Sequence, residues 1–99
     1  MTLKGNQRSH LSRLAHGLSP VVMVGGDGVS PGVLRAVDEA LESHELIKVK
    51  FQDHKEARHS LAPEIARKEQ AILVRIVGNI AIFYRTARKP EHRKLKFPV

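Results

Sequence analysis

The chain has 99 residues, 41% of them apolar and 27% charged, with a formal net charge of +7 and no cysteine. This length supports one domain with a modest core. The lack of cysteine excludes a disulfide framework and thiol catalysis, and no apolar run approaches the ~20 residues of a membrane-spanning helix. The opening Met1-Thr2-Leu3-Lys4-Gly5 lacks the apolar stretch of a secretory signal, so a cytoplasmic location is expected.

The positive charge is sorted along the chain. Residues 1–26 carry Lys4, Arg8 and Arg13 with no acid, whereas residues 27–45 carry five acids against Arg35. Residues 46–70 hold six basic and four acidic side chains, and residues 71–99 hold seven basic ones against Glu91 alone. Segregated positive charge attracts a phosphate backbone, because each neutralised phosphate releases a counterion.

Residues 4–16 read as a helix, with Leu11, Leu14 and Leu18 at i, i+3, i+7 and Ala15 beside them. Its opposite arc carries Arg8, Ser9, Ser12, Arg13 and His16, and Gly17 supplies a stop. Residues 20–24, PVVMV, are a short buried strand. It runs into Gly25-Gly26-Asp27-Gly28, after which Ser30 is an N-cap and Pro31 a first helical residue. Val33, Leu34, Val37, Ala40 and Leu41 form the apolar stripe of that second helix, with Asp38, Glu39 and Glu42 on its outer face, which RNA should avoid.

Residues 46–51 alternate, Ile47, Val49 and Phe51 on one side and Lys48 and Lys50 on the other. Residues 54–70 predict a helix kinked at Pro63, the alternative being a start near Ala62. Two apolar runs, 72–77 and 80–85, are separated by Gly78-Asn79 and predict a hairpin. The element order α-β-α-β-α-β-β is that of a two-layer α/β domain with a mixed four-stranded sheet, covering residues 1–88 and followed by a basic tail at 89–99, the chain from Thr86 to Val99 being expected to be extended.

A strand, a glycine loop and a capped helix together make an anion-binding arrangement, since the first helical N–H groups lack internal partners and glycine admits a phosphate close to the backbone. Gly25, Gly26, Asp27 and Gly28 are the candidate loop; the competing reading is a tight turn alone. The Asp27 carboxylate repels phosphate, so backbone N–H groups, not side chains, would make the contact. Lys4, Arg8 and Arg13 are the further phosphate-contact candidates. Lys48, Lys50, Arg75 and Arg85 are expected over the sheet face turned away from the helices, either to contact RNA or to keep an open face soluble. With one tyrosine and no tryptophan, base stacking is not the expected mode.

A nucleotide-binding fingerprint is absent: its third glycine would fall on Pro31, and there is no Walker lysine. The six histidines, His10, His16, His44, His54, His59 and His92, are scattered without ligand spacing, and no nucleophile–base set stands out. No metal, cofactor, small-molecule substrate or catalysis is therefore expected. The rival reading is a protein-interaction adaptor that docks on acidic partners through its basic tail.

The segments LAHGLSPVVMVGGDGVSPGVLRAVDEALESHELIKVKF and VRIVGNIAIFYR resemble the CRM (chloroplast RNA splicing and ribosome maturation) domain family in its single-domain bacterial, YhbY-type form, over about residues 3–88. The resemblance implies a fold similar to the C-terminal domain of translation initiation factor three, with a G-x-x-G loop at positions 25–28. It also implies RNA binding, with large-subunit ribosomal RNA in assembly precursors as the expected partner.

Overall fold

Strand residues point alternately to opposite faces of a sheet, and this sheet uses both. A computed structural model of the protein describes residues 3–52 and 58–93. The elements follow the predicted order: α1 (Gly5–His16), β1 (Val22–Val24), α2 (Pro31–His44), β2 (Leu46–Phe51), α3 (Arg58–Lys68), β3 (Ile72–Val77), β4 (Ile80–Tyr84) and a 3-10 turn (Pro90–His92). The sheet is mixed, in the order β1-β2-β4-β3. β1 lies parallel to β2, while β4 runs antiparallel to both β2 and β3.

Side chains of one parity (Val22, Val24, Ile47, Val49, Phe51, Ala81, Phe83) meet Val37 and Leu41 of α2 and Ala62 and Ile65 of α3 in the larger core. Burying one such large apolar side chain contributes about 1.5–3 kcal/mol. Side chains of the other parity (Leu46, Ile82, Tyr84) meet Leu11 and Ala15 of α1 in a smaller core with Leu3 and Val74. The predicted two layers are thus the sheet and α2/α3, and α1 adds a partial layer on the opposite face. Among the described residues, no helix is long and apolar enough to cross a membrane.

Local chemistry sets the element ends. Ser30 Oγ accepts the Val33 N–H at 3.2 Å and Pro31 starts α2, as predicted. α2 stops at Glu45, whose φ of 64° turns the chain into β2. Gly78, at φ 60°, makes the two-residue hairpin turn. α3 runs through Pro63, so the later start near Ala62 does not occur. The predicted first residues of this helix, 54–57, lie outside the described residues.

Three expectations change. First, α1 is rotated from its predicted seat: Leu11 and Ala15 are buried, but Leu14 and Leu18 are each 42% exposed. The arc bearing Arg8 and Ser12 turns towards the sheet because a bulge in β3, at the register shift between Leu73 and Arg75, offers carbonyls to Arg8. Arg8 Nη1 donates to Leu73 O at 3.0 Å and to Val74 O at 2.6 Å.

Second, Arg85 is not on the open sheet face. It continues the parity of Ala81 and Phe83, so it turns towards α2 and α3 and is buried at 8% exposure. Its guanidinium donates to Glu69 O at 2.9 Å and Asp38 O at 3.1 Å, and pairs with Asp38 Oδ1 at 2.9 Å. This arginine clamps the end of β4 to α2 and to the end of α3.

Third, the chain after β4 is not simply extended as far as residue 93; the rest of the predicted tail, 94–99, lies outside the described residues. Glu45, itself buried, accepts the Arg85 N–H through its carbonyl and the Ala87 N–H through its carboxylate, the latter at 2.7 Å. Glu42 accepts the N–H groups of Arg88 and Lys89 and lies 2.6 Å from His92 Nδ1. Arg88 pairs with Asp38 at 2.7 Å. The acidic stretch of α2 and the basic stretch after β4, separate in sequence, neutralise each other.

Arg85→Met should therefore lower stability by about 1–3 kcal/mol, the range for losing hydrogen bonds to a partly desolvated charge. Chemical denaturation measures this, and an unchanged midpoint would contradict the clamp. The amides of Arg88, then His92, draw the Glu42 carboxyl down from 4.5 to about 2. A depressed carboxyl stabilises the fold above its unfolded value, and that contribution is lost as pH falls from 4.5 towards 2. Hydrogen exchange at the Arg88 and Lys89 amides should accelerate over that window relative to the β2 amides, after correction for intrinsic rates.

Candidate nucleic-acid interface

Three rows of side chains cross the sheet face that α1 shares. Leu46, Tyr84 and Ile72 are paired in register, and Leu46 and Tyr84 are buried in the smaller core that α1 caps. Lys48, Ile82 and Arg75 form the next row, at the margin of α1. Met23, Lys50, Ile80 and Val77 form the last and most open row, with Met23 50% and Val77 52% exposed. β1 leaves this last row directly into the 25–28 loop, and the hairpin turn closes the same end of the sheet, where Phe51 N–H donates to Asn79 O.

Between α1 and β3 lies a hollow of about 590 Å³, lined by Arg8, Ser9, Ser12, Arg13, His16 and Arg75 with Val74 at its base. A second hollow of about 250 Å³ shares Ser12, His16 and Arg75 with the first and continues past Lys48 towards Val77 and Ile80. Together they form one groove with a basic rim that opens onto the uncovered row.

The cations of this surface are not equally available. Arg13 and Arg75 are exposed, and neither they nor the half-buried Lys50 form an ion pair or side-chain hydrogen bond among the described residues. Lys4 is exposed at the start of α1, where its backbone N–H donates to Gln7 Oε1 at 2.9 Å. Lys48 closes the C-terminus of α1, its ammonium donating to Leu18 O at 3.0 Å and to His16 O at 3.4 Å. Arg8 is likewise engaged by the β3 bulge. Both keep their charge at the groove but spend donors on the fold.

The loop is a tight turn, closed by Gly28 N–H to Gly25 O at 3.1 Å and followed by Ser30 N–H to Gly28 O at 3.1 Å. Gly28 sits at φ 67°, a conformation that disfavours any L side chain. Its N–H is consumed by the turn. The backbone N–H groups of Gly26 and Asp27, both exposed, have no hydrogen-bond partner among the described residues. The loop can thus offer two outward donors at its tip, while the Asp27 carboxylate opposes an anion there.

Of the predicted site residues, Gly25, Gly26, Asp27, Gly28, Lys50 and Arg75 gather on or beside the α1-side sheet face, with Arg13 on the facing helix and Lys4 at its start. Arg8 and Lys48 line the groove with part of their donor capacity spent, and Arg85 lies across the sheet. The prediction left out Ser9, Ser12 and His16 as groove residues and Met23, Ile80 and Val77 as the floor. A signal for part of this was present: Arg8, Ser12 and His16 recur at intervals of four and mark one helix face.

The sequence matches the CRS1/YhbY (CRM) domain over residues 3–85. It is 40% identical to an RNA-binding protein of Haemophilus influenzae across 98% of this chain and 96% of that one. A Bacillus subtilis relative, named "Probable RNA-binding protein YqeI", is 32% identical across 97% of this chain and 99% of its own. The solution structure of SAV1595 from Staphylococcus aureus superposes with a TM-score of 0.78 at 28% identity, covering 96% of this chain and 100% of that one. With the element order, the mixed sheet and the glycine turn all in place, this chain belongs to the CRS1/YhbY (CRM) domain family.

Proposed function

We propose that the protein binds RNA through the open end of the α1-side sheet face, the α1–β3 groove and the tip of the 25–28 loop. One observation carries this reading: Arg13, Arg75 and Lys50 are cations without an ion pair or side-chain hydrogen bond among the described residues, grouped around an uncovered surface beside two outward backbone donors. The names of the relatives support RNA as the ligand. Arginines, lysine and backbone N–H groups suit phosphate oxygens, which fix position without reading bases.

The family resemblance directs the proposal further, to large-subunit ribosomal RNA in precursor particles and a cytoplasmic role in ribosome assembly. The adaptor alternative draws less support, because Arg88 and His92, in the chain after β4, already face Asp38 and Glu42 within the fold.

Affinity for a ribosomal RNA fragment, followed by fluorescence anisotropy across a salt series, should fall steeply with salt. Arg13→Ala and Arg75→Ala should each reduce the slope of log K against log salt by about one. Asp27→Asn should tighten binding. Gly26→Pro should weaken it with little loss of stability, since proline suits that turn position and removes one donor. Salt-independent affinity, or full affinity in the Arg13, Arg75 and Gly26 variants, would contradict the proposal.

A further inference from the structure

We infer that the RNA element this surface fits is a double helix, held across its minor groove, in preference to an unpaired strand. This inference rests on the RNA-binding proposal above and specifies its ligand.

The first observation is where the aromatic rings lie. Sequence-tolerant binding of single strands depends on stacking bases against exposed aromatic side chains. Every Phe and Tyr side chain among the described residues is buried: Phe51 and Phe83 at 0% exposure in the α2/α3-side core, and Tyr84 at 2% beneath α1. The Tyr84 hydroxyl is also engaged, 2.9 Å from Thr86 Oγ1. Among the described residues, the open row of Met23, Lys50, Ile80 and Val77 can hold a backbone but carries no ring to receive a splayed base; the one exposed ring nearby, the His16 imidazole, lies back in the α1–β3 groove. Bases already stacked in a duplex make no such demand.

The second observation is the layout of charge around an apolar floor. Arg13 and Arg75 lie at the β3 side of the open face, and the 25–28 loop lies at the β1 side. β1 and β3 are the outer strands, three strand spacings apart, or roughly 14 Å. Between them run Met23, Lys50, Ile80 and Val77, with a single cation at the centre. A single phosphate strand is best matched by a continuous line of charge. Two charged or donor-bearing margins flanking a shallow apolar strip instead match two backbones flanking a shallow groove.

The minor groove of A-form RNA is wide and shallow and displays sugars and 2′-hydroxyls. In this arrangement one backbone follows the α1–β3 groove past Arg13 and Arg75, and the other passes the tip of the loop. Met23, Ile80 and Val77 lie against the sugars of the groove, and Lys50 reaches between the strands. Recognition is then of helical shape, with little dependence on base sequence.

Three probes of equal length test this with the full chain: an RNA hairpin stem, an unpaired RNA of the same composition, and the same stem as DNA. Fluorescence anisotropy at one salt concentration should show the RNA stem bound at least about tenfold more tightly than either other probe. Arg13→Glu and Lys50→Glu, each checked for a native circular dichroism spectrum, should both weaken binding to the stem. Equal or tighter binding of the unpaired RNA, or equal binding of the DNA stem, would overturn this inference while leaving RNA binding in place. Failure to bind any RNA probe would overturn the RNA-binding proposal as well.

Discussion

β2 is the strand on which the rest of the structure depends. It is paired on both sides, to β1 in parallel and to β4 in antiparallel register, so its side chains must serve two faces at once. Ile47, Val49 and Phe51 are buried against α2 and α3, while Leu46, Lys48 and Lys50 face the other way. A slip of one residue would exchange these sets, placing two lysines in the larger core, so register is strongly specified. The same alternation grades the α1-side face: Leu46 is capped by α1, Lys48 closes the C-terminus of that helix, and Lys50 stands in the open.

Electrostatic self-pairing takes up part of the positive charge around the end of β4. The acidic residues of α2 are not an independent surface, because Asp38 and Glu42 take up Arg85, Arg88 and His92. The Arg88 guanidinium holds the Asp38 carboxyl below the usual carboxylate range, with further help from Arg85 and against the opposing effect of burial. The charges of Arg85 and Arg88 are thus spent on docking the end of β4 and the chain after it. Arg13, Arg75 and Lys50 lie on the opposite side of the sheet, the side proposed to meet RNA.

The elements that follow from short-range chemistry were legible in the sequence. The Ser30-Pro31 start of α2, the alternation of residues 46–51 and the Gly78-Asn79 hairpin are each determined by neighbours within a few positions. What could not be read depended on tertiary register. The seat of α1 follows from a bulge in β3, more than sixty residues away, whose carbonyls claim Arg8. Arg85 looked like the last charged residue of an exposed strand; only its parity with Ala81 and Phe83 shows that it enters the α2/α3 side. The 25–28 loop was visible as a turn between β1 and α2, but not that Gly28 N–H closes the turn and leaves the N–H groups of Gly26 and Asp27 without a partner among the described residues.

The central claim is that RNA meets the α1-side face and the loop tip, not the α2/α3 side. The most direct measurement is an amide chemical-shift titration of the full chain with an RNA hairpin. Shifts concentrated at Met23, Gly26, Asp27, Lys50, Arg75 and Ile80, with Glu39, Glu42 and Glu64 unmoved, are the predicted result. Shifts concentrated on α2 and α3, with the loop tip and the open row unmoved, would contradict it.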